Sequence, residues 1–307
     1  MKTVKIHAPA SIANIVCGFD ILGMALNDPF DDMEISLNHE GTIVIEHTDD
    51  YGLSCNPEEN VAGVALQALL NECNGDYGFH MRIHKNIKPG SGLGSSAASA
   101  AGSVAGANHL LGNVFTQNDL IRFAMNGEKL ASGVKHADNI SPCLCGGVTL
   151  IRSIFPLDII RLHAPPLYVT VVHPQLEVKT SDARQILRKE VTLKNAIKQW
   201  GNIAGLVAGL LQNDYGLISR SLEDVIVEPV RSMLIPGFDC IKRKSLACGA
   251  LGGGISGSGP SVFMLSQNER VAVEVEKVMK EKYTGLGVDF RTYVTTINDS
   301  GVKMFTS

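Results

Sequence analysis

The segment Pro89-Gly90-Ser91-Gly92-Leu93-Gly94-Ser95-Ser96-Ala97-Ala98-Ser99 concentrates the residue types that hold phosphate. Phe79, Met81 and Ile83 alternate before it like a strand, and the alanine-rich run over 95–111 reads as a helix. A glycine loop at such a junction leaves backbone N–H groups unpaired at a helix N-terminus, where the dipole favours an anion. Missing Cβ atoms let phosphate approach the chain, and Ser95 and Ser96 add hydroxyls. The string lacks the lysine of a Walker A loop. A literal G-x-G-x-x-G at Gly252, Gly254 and Gly257 runs into an apolar strand, whereas a dinucleotide turn must open a helix. A flexible turn is the alternative for any bare glycine cluster.

The elements that must position this loop fall into two mixed halves. Val4 and Ile6, then 33–37 and 42–47, read as strands. Asn60 opens a helix in which Val61, Val64, Ala65, Ala68 and Leu69 recur at helical spacing, and a second helix covers 117–131. Gly146-Gly147 precedes a strand over 148–151, and the proline-containing stretch 155–166 marks the domain boundary. Beyond it, 167–172, 261–265 and 288–295 read as strands, and 193–211 and 271–282 as helices. The expectation is α+β, with domains at 1–160 and 161–307.

Composition narrows the partners. Of 307 residues 45% are hydrophobic and 19% charged, which suits a folded protein with a substantial core. The net charge of −4, without a dense basic block, argues against nucleic acid and anionic lipid as partners and for a small molecule. The start of the chain shows no signal-peptide core, and no apolar run reaches the roughly 20 residues of a membrane span, so the expected compartment is the cytoplasm. Seven scattered cysteines read as reduced thiols, and the close pair Cys143 and Cys145 is weak evidence for zinc.

The loop P-G-S-G-L-G-S-S-A-A-S closely resembles the phosphate-binding loop of the GHMP kinases. Ala8-Pro9-Ala10-Ser11-Ile12-Ala13-Asn14, continuing to Gly18-Phe19-Asp20, resembles their N-terminal substrate motif, and 252–261 resembles their C-terminal glycine-rich motif. The likeness spans essentially the whole chain. It implies an N-terminal domain like domain 2 of ribosomal protein S5, a ferredoxin-like C-terminal domain and an active site between them. It also implies a left-handed βαβ connection, ATP and Mg²⁺ as cofactors, and a homodimer. For the nucleotide it implies Pro89, Gly90, Ser91, Gly92, Leu93, Gly94, Ser95, Ser96, Ala97, Ser99 and Gly257, with Asn60, Val61 and Lys85 as softer assignments. Ser96 and Glu128 would hold Mg²⁺.

Two strings narrow the acceptor. Thr180-Ser181-Asp182-Ala183-Arg184, and Glu228-Pro229-Val230-Arg231 with Leu234-Ile235-Pro236, resemble the homoserine kinase branch. L-Homoserine is a zwitterion with a side-chain hydroxyl, so its site needs a carboxylate clamp and an ammonium partner. By the resemblance Arg184 and Arg231 clamp the carboxylate with support from Thr180, and Asn14 and Asp20 meet the ammonium. His136 lies in the acceptor pocket, and Asn139 stands where related kinases carry an aspartate base. Phosphoryl transfer would then rest on Asn139, Ser96 and Glu128 without a dedicated carboxylate base, with Asp138 as the competing base. The rival readings are a mevalonate- or galactose-type acceptor, or a silent nucleotide-binding protein.

Overall fold

Two sheets carry the structure, and their strands follow from the alternation in the sequence. In chain order the first half forms β1 (Thr3–Ala13), β2 (Leu22–Asn38), β3 (Ile43–His47), α1 (Val61–Leu70), β4 (Gly78–His84), α2 (Ser95–Leu110), α3 (Gln117–Ser132), α4 (Ile140–Cys145), β5 (Val148–Ile154) and β6 (Leu157–Leu162). The second half forms β7 (Tyr168–Pro174), α5 (Thr180–Gln185), α6 (Leu193–Gln212), α7 (Tyr215–Ser221), α8 (Glu228–Arg231), α9 (Phe238–Ala247), β8 (Gly252–Ile255), β9 (Val262–Ser266), α10 (Glu269–Leu286), β10 (Phe290–Thr296) and β11 (Lys303–Thr306). This computed structural model describes all residues except Met1, Glu177, Lys179 and Ser307, and only the backbone at Thr180, Ser181, Asp182 and Thr306.

The first sheet has the order β11-β1-β2-β4-β3, with β5 paired to β2 and to β6. The parallel pair β3 and β4 is joined through α1, and the other pairs are antiparallel. The second sheet, β10-β7-β9-β8, is antiparallel, with helices between its first and second and its third and fourth strands in chain order, a ferredoxin-like order. Residues 157–162 of the expected boundary form β6 on the first sheet, so the chain crosses between sheets over 163–167. It crosses back at the end, because β11 pairs with β1.

Helix α2 explains why small residues dominate after the glycine loop. A Cβ at Gly102 would stand 2.5 Å from Met33 Sδ, and one at Gly106 2.4 Å from Ile6 Cδ1, so glycine lets the helix rest directly on β1 and β2. Helix α3 starts on a reciprocal cap between Thr116 and Asp119 and ends on Gly133 at φ +80°. A core built on Ile6, Ile12, Leu66, Phe79 and Phe123 fills the space between the sheet and these helices. Helices α4, α5 and α7 to α9 were not expected: most are too short to show a helical period.

Candidate active site

The glycine loop is braced from three sides. Gly94 caps α2 with φ +68°, and a Cβ there would sit 2.1 Å from Ser11 Oγ of β1. Ser11 N–H donates to the Leu93 carbonyl at 3.1 Å, and Ser256 Oγ donates from the second half to the Gly92 carbonyl at 2.6 Å. From below, the buried Lys85 ammonium donates to Asp31, to the Ser95 carbonyl at 2.7 Å and to Ser99 Oγ at 2.8 Å. Asp31 in turn accepts from the Asn86 and Ile87 amides at 2.9 Å. Lys85 thus lies at the cavity wall with its donors committed to the loop and to Asp31. Burial raises the Asp31 carboxyl, and Lys85 with the two amides opposes that rise.

A second group of polar side chains lines the cavity from loops that meet across the two halves. Asn14 and Asp20 both have positive φ, and Asn14 Oδ1 accepts from the Asp20 N–H at 3.1 Å while its amide donates to the Gly257 carbonyl at 3.0 Å. Asp20 accepts from Arg184 at 2.9 Å on both oxygens. Arg184 also donates to His136 Nε2 at 3.0 Å. A guanidinium can only donate, so Nε2 is the acceptor nitrogen and the proton sits on Nδ1, which faces Asp20 at 3.6 Å. Burial pushes His136 below the usual imidazole value, with Asp20 opposing that fall, which suits the neutral ring.

Arg231 is 4% exposed, donating through Nε to the Ala183 carbonyl and through Nη1 to the Gly257 carbonyl, each at 3.0 Å. Burial and then the neighbouring charge of Arg184 lower its pKa. Beside this pair Asp138 is buried, and burial followed by the charges of Asp20 and Glu128 pushes its carboxyl up to about 7. Asn139 accepts a hydrogen bond from Ser11 Oγ on its side-chain carbonyl at 2.9 Å.

These groups open on one cavity of about 370 Å³. Its wall includes Pro89, Gly90, Gly92, Gly94, Ser95, Ser96 and Ser99 of the loop; Val61, Lys85 and Glu128; and Asn14, Asp20, His136, Asp138, Asn139, Arg184, Arg231 and Gly257. Four expected residues stand behind the wall. Asn60 caps α1, accepting from the Ala62 N–H at 2.9 Å and donating to the Ser54 carbonyl at 2.7 Å; Ser91 Oγ accepts from the Leu93 N–H at 3.3 Å; Leu93 and Ala97 are core. The Thr180 side chain lies outside the described residues. Phe19, Leu53, Ala131, Ser132 and Ser258 line the cavity without having been singled out, and Ser11 and Asp31 support it from behind.

Ser96 Oγ donates to Glu128 Oε2 at 2.9 Å, and the buried Glu128 carboxyl is raised by desolvation. One carboxylate and one hydroxyl fit Mg²⁺, which keeps most of its shell for water and phosphate oxygens. Among the described residues no group of three His, Cys, Asp or Glu side chains could hold a metal. The seven cysteines are free, and buried Cys143 donates to the Pro9 carbonyl at 3.2 Å.

Residues 60–147 match the GHMP kinases N terminal domain and 206–285 match the GHMP kinases C terminal domain. The homoserine kinase of Chloroherpeton thalassium is 45% identical over 92% of this chain and 93% of that protein. That of Chlorobium phaeobacteroides (strain DSM 266) is 41% identical over 99% of this chain and all of that protein. The chain belongs to the homoserine kinase family of GHMP kinases. The crystal structure of homoserine kinase from Cytophaga hutchinsonii superimposes with a TM-score of 0.95 at 45% identity, covering 99% of this chain and 98% of that one. An L. major mevalonate kinase shares the GHMP fold at a TM-score of 0.71 and 14% identity. In this family setting the glycine loop, the Ser96–Glu128 pair and the two arginines occupy one cavity.

Proposed function

We propose that the chain transfers the γ-phosphoryl group of ATP to the side-chain hydroxyl of L-homoserine, giving O-phospho-L-homoserine and ADP, as its family membership suggests. The observation that carries this reading is that Arg184, Arg231 and Asp20 line the same cavity as the glycine loop, together with Asp138 and Asn139. Two guanidiniums receive the carboxylate, and Asp20 with Asn14 receives the ammonium, partly offsetting its desolvation. The loop amides at the α2 N-terminus receive the phosphates.

Asn139 has its carbonyl occupied by Ser11, so its NH₂ is the end that meets the acceptor hydroxyl. That contact orients the oxygen toward phosphorus. An amide cannot take a proton, and a loose transition state needs positioning and charge stabilisation more than early deprotonation, so the proton leaves late, to the transferred phosphoryl. Ser96 and Glu128 would hold Mg²⁺, which supplies neutralisation of phosphate charge when bound.

A homodimer in the cytoplasm completes the proposal. Along α6 the side chains of Leu193, Ile197, Trp200 and Leu211 are 69, 52, 54 and 53% exposed on one stripe, with Gly201 and Ala204 between them. The stripe is self-complementary about Asn202: in a two-fold pairing Leu193 opposes Leu211 and Trp200 opposes Ala204. No described helix is long and apolar enough to cross a membrane. Sedimentation of Trp200→Asp should show a monomer; an unchanged dimer mass, or a monomeric wild type, would contradict this face.

An acceptor screen tests the function. ADP release should require L-homoserine and remain at background with mevalonate or galactose. Turnover of either of those alone, or ATP binding without turnover, would replace this reading.

A further inference from the structure

Phe19 lies against both clamp arginines. The guanidinium carbon of Arg231 stands 5.0 Å from the ring centroid and that of Arg184 5.6 Å, both within the range of a cation over an aromatic face. The two arginines repel one another, since the charge of Arg184 is among the causes that lower the Arg231 pKa. Asp20 hydrogen-bonds Arg184, whereas Arg231 rests on the carbonyls of Ala183 and Gly257. Among the described residues, Phe19 is the aromatic ring that lies within cation–π range of both cations.

The backbone fixes where that ring points. Asn14, five residues upstream, has its carbonyl accept from the Gly18 N–H at 2.8 Å and its side chain accept from the Asp20 N–H at 3.1 Å. Phe19 is therefore held between two anchored neighbours, and its ring lines the cavity.

We propose that Phe19 is a positioning residue for the acceptor clamp. Its π face holds the Arg184 and Arg231 guanidiniums at the spacing that reads an α-carboxylate, and so sets the preference for an amino acid over the same amino alcohol without its carboxylate. The inference rests on the proposed homoserine reading. An aliphatic side chain fills similar space but lacks the quadrupole that attracts both cations.

The test compares wild type with Phe19→Leu, Phe19→Met and Phe19→Tyr, using L-homoserine and 3-amino-1-propanol as acceptors or competing ligands. Both aliphatic variants should raise the homoserine KM about tenfold and shrink the preference over 3-amino-1-propanol by a similar factor, as one desolvated cation–π contact implies. The ATP KM and kcat should stay within a factor of about three, and Phe19→Tyr should keep most of the preference. Equal loss in the tyrosine and aliphatic variants, an unchanged preference in the aliphatic ones, or a parallel rise in the ATP KM would overturn the platform. A wild type that does not phosphorylate L-homoserine would instead sink the parent reading.

Discussion

Ser11 on β1 donates its hydroxyl hydrogen to the side-chain carbonyl of Asn139 across 2.9 Å, joining residues 128 positions apart. In the proposed mechanism this bond decides which end of the Asn139 amide faces the acceptor. Ser11→Ala leaves the carbonyl free to rotate toward the hydroxyl, where it would accept rather than donate. The expected result is a kcat lowered about tenfold with the KM for ATP nearly unchanged, of the size of one hydrogen bond. Ser11→Thr should recover most of the rate. Steady-state kinetics with both variants checks it, and a loss confined to the ATP KM would place Ser11 with the loop instead.

Asp138 sets a pH-dependent cost. Its folded value of about 7 stands above the ordinary 3.8, so between those values the folded state keeps a proton that the unfolded chain has lost. Its contribution to stability is full below about pH 4 and is lost as pH rises through about 7. Asp138→Asn should therefore gain on wild type as pH rises, by up to about 4 kcal/mol at pH 8. Denaturant melts at pH 5 and 8 measure this. On the proposed mechanism, which uses no carboxylate base, kcat should fall no more than about tenfold; a fall of 10³ would make Asp138 the base.

The Lys85–Asp31 pair underpins the phosphate loop from a fully buried position. Lys85→Met strands a buried carboxylate and should lower stability by about 3–5 kcal/mol. Adding Asp31→Asn should restore part of that, because the uncompensated charge is gone. Thermal melts of the two single variants and the double variant check it; additive losses would mean that the pair is not coupled.

Removing the carboxylate proposed to face the metal gives a separate signature. Glu128→Gln should raise the Mg²⁺ concentration needed for half-maximal rate about tenfold or more while leaving the homoserine KM close to wild type. The buried carboxyl is raised by desolvation, which the Ser96 hydroxyl only partly opposes, so without Mg²⁺ the variant should melt at or above the wild-type temperature. Unchanged Mg²⁺ dependence would remove Glu128 from the metal site.

Much of this was readable in the sequence because it is local. The strand before Pro89, the small-residue helix after it and the glycine loop between them are set by neighbouring residues. The partners of those residues are set by distance in space. Lys85 reads as a free cation until Asp31, 54 positions away, is found beneath it, and Asn60 serves its own helix rather than facing the cavity. Phe19 sits inside a recognised motif, yet its contact with arginines 165 and 212 positions later is invisible in one dimension. The return of β11 to β1 was equally hidden, since four residues at the end of a chain carry too little pattern to announce a strand.

The central claim is tested most directly by phosphorus NMR of the protein with ATP, Mg²⁺ and L-homoserine. The account predicts a phosphomonoester signal coupled to the γ-methylene protons of homoserine, growing in step with ADP, and abolished at the same homoserine concentration by Arg231→Ala with ATP binding retained. ADP formed with inorganic phosphate alone, or an ester that Arg231→Ala leaves untouched, would contradict it.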